Sequence, residues 1–247
     1  MPRVLCLHGF TGAGSAWDDL CAHLPDDWEV LAPDLLGHDP DDAIDGSTFE
    51  DEVARLAGEL DRRSWREVHL AGYSMGARVG LGLLVGHREL FSSATLIGVH
   101  PGLPTEAERW ARRTFDETLA KQIESKGIEP FVHYWERRPL FASQRRLAPE
   151  ILERQRRRRL SRRPAGLARS LRVLGLGSMP DYRPRLAELE LPVRLVVGED
   201  DEKFSRLAEE LADALPHATV EMVPSVGHNP VLEAPAAVAR ALRATIR

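Results

Sequence analysis

Short apolar runs alternating with amphipathic stretches set the pattern of this chain. Val4–Leu7 reads as a buried strand ending at His8-Gly9, and Glu29–Ala32 as another ending at Pro33-Asp34. Val68–Gly72, Ala94–Val99, Val193–Val197 and Thr219–Val223 read as further strands. Between them, Phe49–Arg62, Gly76–Gly86, Ser205–Leu215 and Ala234–Ile246 carry apolar residues at helical spacing. Strand–helix alternation predicts right-handed crossovers and a mostly parallel sheet covered on both faces, an α/β fold. The alternation breaks after Val99, and from about Pro101 to Pro180 only helical stretches are visible. The chain therefore reads as one α/β domain, residues 1–100 and 180–247, interrupted by a helical insertion at 101–179. Ligands bind outside the carboxyl ends of the strands in such sheets. The insertion leaves the fourth strand at that end, so it is expected to cover the site as a lid.

Composition adds little until it is divided. The 247 residues are 43% hydrophobic and 29% charged, which suits a cored globular domain and not a disordered chain. No uncharged apolar run approaches the roughly 18 residues a membrane span needs, so no membrane insertion is expected. The apolar stretch at the N-terminus is too short for a signal peptide. Cys6 and Cys21 make no disulfide framework, and a reducing cytoplasm is the expected compartment. The net charge of −5 argues against an anionic partner. Residues 101–179, however, hold 18 Lys+Arg against 9 Asp+Glu, so a +9 segment sits inside a −14 remainder. Arginine dominates it, densest from Arg154 to Arg163, and its planar fork suits carboxylate or phosphate. A solvated helix face is the ordinary reading of such a run. No aromatic interleaving accompanies it, so no nucleic-acid partner is expected.

Gly72-Tyr73-Ser74-Met75-Gly76 fits G-x-S-x-G between a predicted strand and a predicted helix, the context a nucleophile elbow needs. The helix that starts there aims free N–H groups and a positive dipole end at developing negative charge. A serine hydroxyl needs a base. His228, in the loop after the last strand, is the candidate. The acid should lie between the two in sequence, at a strand end. Asp201 in Gly198-Glu-Asp-Asp is the first choice and Asp200 the second. The order Ser, acid, His is that of α/β-hydrolases. The backbone N–H groups of Phe10 and Met75 would make the oxyanion hole. Arg78 falls one turn after Ser74, a poor place for inert filler. His38 reads as a structural loop residue, and His23, His87 and His217 as surface residues. No metal-ligand spacing and no G-x-G-x-x-G after a strand occurs, so neither metal nor cofactor is expected.

Over its whole length the chain resembles the α/β-hydrolase superfamily. Within it, the sequence resembles the 2-succinyl-6-hydroxy-2,4-cyclohexadiene-1-carboxylate synthases of menaquinone biosynthesis. The resemblance is carried by His8–Trp17, Gly72–Arg78, His100–Leu103, Glu108–Arg113, Tyr134–Phe141, Gly198–Phe204 and Gly227–Asn229. The triad motifs belong to a very large superfamily. Arg78, the Trp-Glu-x-x-Pro-Leu-Phe at 135–141 and the Asp-x-Lys-Phe at 201–204 are more specific. Ala77 replaces the second elbow glycine usual in the family, and Asp39 replaces a glycine after His38. Neither change touches a reacting group, though Ala77 slightly narrows the elbow.

The resemblance implies a carbon–oxygen lyase and not a hydrolase. A base removes a ring proton from an enolpyruvyl-bearing succinyl-cyclohexene carboxylate, and pyruvate leaves. Ser74 would be that base, held by His228 and Asp201, with charge on the succinyl carbonyl received at Phe10 and Met75. Arg78, Arg112 and Arg159 would bind carboxylates of this small polycarboxylate. Trp135 would pack on the ring, Tyr73 would flank the serine, and Lys203 could reach the site. A monomer or weak homo-oligomer is expected. Without the resemblance, a carboxylesterase or thioesterase on the same triad would lead, because serine triads mostly transfer acyl groups. A non-catalytic receptor on this fold is the remaining alternative, against which the intact triad speaks.

Overall fold

The computed structural model describes residues 1–39 and 47–246. Six strands, β1 (Arg3–Leu7), β2 (Glu29–Leu31), β3 (Val68–Tyr73), β4 (Phe91–Ile97), β5 (Val193–Gly198) and β6 (Ala218–Val223), form one sheet in the order β2-β1-β3-β4-β5-β6. Every neighbouring pair is parallel. Around the sheet lie α1 (Asp18–Cys21), α2 (Phe49–Arg62) and α3 (Met75–Gly86). The insertion contributes α4 (Glu106–Lys126), α5 (Ile128–Glu136), α6 (Pro149–Leu160) and α7 (Pro164–Leu174), and α8 (Glu202–Ala214), α9 (Pro230–Glu233) and α10 (Pro235–Thr245) follow.

Alternate residues of each central strand serve opposite cores. Leu5, Leu7 and Leu70 pack with Leu56, Leu60 and Leu84 of α2 and α3. Val4, Cys6 and Ala71 pack with Leu20, Val238 and Leu242 on the other face. Burial on both faces is why β1 reads as an unbroken apolar run. The second predicted strand differs from expectation. It pairs on one side only, at the sheet edge, and leaves Glu29 and Val30 exposed. Its apolar residues suggested burial, but an edge position gives it only β1 to cover it. The predicted helix at 234–246 begins one residue later, because Pro235 starts α10 after the short α9. The fourth strand stops at Ile97, since Gly98 at φ +58° turns the chain away.

The chain visits β1, then β2 on one side, then β3 on the other. This reversal puts the crevice between β1 and β3 at a topological switch point. Between β4 and β5 the described residues contain helices and no strand. A capping box between Thr105 and Glu108 starts α4. Leu119, Ile123, Phe131, Val132, Leu167 and Leu171 then give this cap a small core of its own, against which Phe10 and Trp135 pack.

The cap and the body are joined by charge. Arg154 pairs with Asp19 and Arg146 with Asp200. Arg158 donates to the Ser15 carbonyl at 2.8 Å. Arg162 donates to Asp34 at 2.9 Å and to the His38 carbonyl at 2.5 Å. Part of the +9 is thereby matched to the acidic remainder rather than left as a solvated face. Arg162 is more enclosed than Arg146 and Arg154, its side chain 14% exposed against 56% and 45%. Truncating it leaves Asp34 and a carbonyl short of a donor, so Arg162→Ala should lower unfolding stability by about 2 kcal/mol. Urea denaturation followed by circular dichroism checks this, and a loss below about 0.5 kcal/mol would show that the contact is dispensable.

Candidate active site

Ser74 sits at the sharp turn from β3 into α3 with φ 53° and ψ −108°, a conformation a non-glycine residue adopts only when its surroundings enforce it. Its amide is tied to the Ile97 carbonyl at 2.8 Å. Small neighbours make the turn possible: a Cβ at Gly76 would lie 2.1 Å from the Leu7 carbonyl oxygen. The hydroxyl projects outside the sheet's carboxyl edge. His228 Nε2 lies 3.0 Å from Ser74 Oγ, and His228 Nδ1 lies 2.6 Å from Asp201 Oδ2. An imidazole that donates from Nδ1 to the carboxylate presents Nε2 as acceptor to the serine, the arrangement of a base held by an orienting acid. His228 and Asp201 are both buried, which strengthens these bonds. Asp200 points elsewhere, into its pair with Arg146.

The loop after β1 brings Phe10 beside this serine. Its shape is held by two buried histidines whose rings are 4.7 Å apart. His8 Nε2 accepts from the Leu35 amide at 3.0 Å, and His38 Nε2 accepts from the Thr11 amide at 3.0 Å. Burial is the main force lowering both, His8 to about 4 and His38 well below the usual range. Both are therefore neutral acceptors at pH 7. Among the described residues neither the Phe10 nor the Met75 amide donates to a protein acceptor. Met75 opens α3, where such amides are left over by the helix.

A cavity of about 360 Å³ lies over Ser74, between the sheet's carboxyl edge and the cap. Tyr73, Ser74, Met75, Phe10 and His228 form its floor, with Arg78, Arg112, Trp135 and Lys203 in its walls. Arg159 does not line it. That side chain is buried behind Tyr73 and Phe141, in a neighbouring pocket of about 50 Å³. There it stands 5.4 Å over the Phe141 ring and pairs with Glu136 at 3.4 Å. Trp135 meets Phe131, Phe10 and Phe141 with ring centroids 5.6, 5.3 and 5.7 Å away. Its indole N–H is buried without a partner among the described residues.

The walls are cationic. Arg78 donates to the Leu174 carbonyl at 2.7 Å. Burial, then the neighbouring Arg112, pushes its guanidinium down to about 9, opposed by Asp116. It is charged at pH 7, in a place where a further negative charge would be welcome. Arg112 Nε meets both Asp116 oxygens at 2.9 Å, an i,i+4 pair along α4. Burial raises Asp116 while Arg112 holds it down. His100 donates no charge, because burial and then Lys203 and Arg78 push it to about 3. Asp116, His100 and Arg138 line the cavity and were not singled out in sequence. The Arg112–Asp116 spacing was a readable signal, as was His100 in the His-Pro-Gly-Leu stretch. Arg138 falls within the Tyr134–Phe141 stretch, with no signal of its own beyond that.

A parallel sheet with a strained serine at a strand–helix turn, an acid and a histidine at later strand ends, and a helical cap defines an α/β-hydrolase. The profile of the Alpha/beta hydrolase family matches residues 4–241. A Bacillus subtilis (strain 168) protein provisionally named 2-succinyl-6-hydroxy-2,4-cyclohexadiene-1-carboxylate synthase is 41% identical over 94% of this chain and 85% of its own. A synthase of the same name from Enterobacter sp. (strain 638) is 32% identical over 100% of this chain and 92% of its own. The solved structure of MenH from S. aureus superposes with a TM-score of 0.94 at 32% identity, covering 99% of this chain and 92% of that one. A thermophilic esterase from Thermogutta terrifontis follows at 0.84 and 26%, covering 99% and 89%. The chain belongs to the 2-succinyl-6-hydroxy-2,4-cyclohexadiene-1-carboxylate synthase family.

Gly98 makes room for the histidine. A Cβ there would lie 3.0 Å from His228 Cε1, and its φ of +58° already disfavours a side chain. Gly98→Ala should cut turnover at least tenfold by displacing the imidazole, while costing only about 1–2 kcal/mol of stability. Steady-state rates beside a thermal melt would show this, and wild-type turnover in a folded variant would mean that the ring tolerates the crowding.

Proposed function

We propose that this chain eliminates pyruvate from 2-succinyl-5-enolpyruvyl-6-hydroxy-3-cyclohexene-1-carboxylate, giving 2-succinyl-6-hydroxy-2,4-cyclohexadiene-1-carboxylate. The observation that carries the reading is Arg78, a buried guanidinium one turn beyond Ser74, with a backbone carbonyl and, among the described residues, no carboxylate bonded to it. A site for neutral esters gains nothing from such a charge. A substrate with three carboxylates does.

The ring proton at C2 is acidified by the succinyl carbonyl. In our reading Ser74 takes it, with the serine proton passing to His228 Nε2 and Asp201 holding the imidazolium. The C2–H electrons form C2=C3, the C3=C4 pair moves to C4=C5, and the C5–O bond breaks with its electrons on the departing enolpyruvate. That enolate takes up one proton and becomes pyruvate, so no oxidant or cofactor enters the balance. During the step, negative charge on the succinyl oxygen would be met by the Phe10 and Met75 amides. Such a donor is typically worth about 10²–10³ in turnover. No bond to Ser74 is required. Residues 101–179 act as the lid, excluding water around the carbanionic charge, with Arg112 and Trp135 engaging the substrate. Arg159 would act from behind Tyr73, and Lys203 at the rim.

Acyl transfer is the competing reading, since the same triad geometry serves esterases. Pyruvate release in a lactate dehydrogenase-coupled assay, run beside p-nitrophenyl ester hydrolysis, separates the two. We expect pyruvate release to dominate, with Ser74→Ala losing at least 10³-fold. Arg78→Ala should lose at least 10²-fold in kcat/KM on the enolpyruvyl substrate and little on the ester. Rapid ester turnover without pyruvate would overturn the lyase reading, and equal losses for Arg78→Ala on both substrates would make that residue structural.

A further inference from the structure

The cations around the cavity are not equivalent. Arg112 is already offset by Asp116. That leaves Arg78 deep in the cavity, Lys203 at its exposed rim, and Arg138. Arg138 lies just past the end of α5, three residues after Trp135 and two before Leu140, both of which also line the cavity. Its Nη1 donates to the Tyr134 hydroxyl at 2.5 Å, and its guanidinium stands 5.5 Å over the Tyr134 ring. Among the described residues no carboxylate pairs with it, whereas several arginines of the same cap, Arg146, Arg154, Arg156 and Arg172 among them, have one.

This is an unusual way to hold an arginine. A carboxylate partner would fix the side chain and cancel its charge. A phenol and its ring fix it while leaving the charge available. The fork keeps unused N–H donors and is partly withdrawn from water, which favours a charge-assisted, bidentate bond to an incoming carboxylate. Among the described residues Arg78, Lys203 and Arg138 are the cavity cations free of a carboxylate, beside the acid-paired Arg112, and the proposed substrate carries three carboxylates.

We propose that Arg138 is a specificity-determining residue that binds the ring or succinyl carboxylate of the substrate at the mouth of the cavity, with Tyr134 as its positioning residue. The inference rests on the function proposed above for the identity of the substrate. It does not depend on which bond the enzyme breaks.

The test uses the whole enzyme with Arg138→Gln, Arg138→Lys and Tyr134→Phe. On the enolpyruvyl substrate, Arg138→Gln should raise KM about 10–100-fold, the worth of one charge-assisted bond, with the loss in KM rather than kcat. Arg138→Lys should recover part of it, and Tyr134→Phe should show a smaller rise in KM. Quenching of tryptophan fluorescence by 2-succinylbenzoate, a dicarboxylate probe of the same skeleton, gives a second readout that needs no turnover. Its Kd should rise in the same order. Unchanged KM and Kd in folded Arg138→Gln, or a loss carried by kcat alone, would overturn the proposal. Should the wild type release no pyruvate, the lyase reading fails, and the probe's Kd then decides on Arg138 by itself. Should Arg138→Gln fold poorly, Tyr134→Phe decides: it must weaken the probe, and an unchanged Kd counts against the proposal.

Discussion

The turn at Ser74 is the constraint from which the site follows. Its backbone lies at φ 53°, ψ −108°, and the β1 carbonyls press so close that Gly76 has no room for a side chain. An unfavourable conformation of this kind costs on the order of 1–3 kcal/mol and persists because the packed sheet and α3 leave no alternative. In return the hydroxyl stands clear of the sheet, beside His228, with the first amide of a helix left without an acceptor. The β1 loop completes the arrangement. Its shape depends on two histidines kept neutral by burial, His8 and His38, each accepting a backbone N–H.

Charge is distributed in the molecule by function. The insertion carries an excess of arginine, for which a solvated helix face is the ordinary reading and carboxylate binding what the resemblance implies. Many of those arginines are committed elsewhere. Arg154 and Arg162 tie the cap to Asp19 and Asp34 on the body, and Arg172 holds α7 to Glu117 and Glu124 of α4. The cations that face the cavity are few and are held by carbonyls, rings or a single acid. Among the cavity cations, Arg78 is held by a carbonyl and Arg138 by a phenol and its ring, while Arg112 keeps a carboxylate partner.

Much of this was legible in the sequence because strand order fixes where loops emerge. Ser74, Asp201 and His228 each follow an apolar run, and a parallel sheet brings such loops to one edge. Asp201 is preferred to Asp200 in sequence for its place three residues past Gly198, and the folded chain turns Asp201 toward His228 and Asp200 toward Arg146. The edge position of the second strand was hidden, because apolar composition does not count neighbours. Arg159 could be placed in the cap but not in register, and it proves to lie one pocket away from the serine. Arg138 lay within the Tyr134–Phe141 stretch but could not be told from its neighbours, since its distinguishing feature, the lack of a carboxylate partner among the described residues, is defined only by the folded chain. The Arg112–Asp116 pair could have been read from its spacing of four along a helix.

The central claim is that Ser74 works as a base beneath a cationic cap and forms no bond to the substrate. Intact-protein mass spectrometry on rapidly quenched turnover mixtures tests it most directly. With the enolpyruvyl substrate in excess and pyruvate accumulating, the protein should keep its unmodified mass at every time point. A transient adduct that forms and decays at the rate of turnover, and that maps to Ser74, would contradict the account.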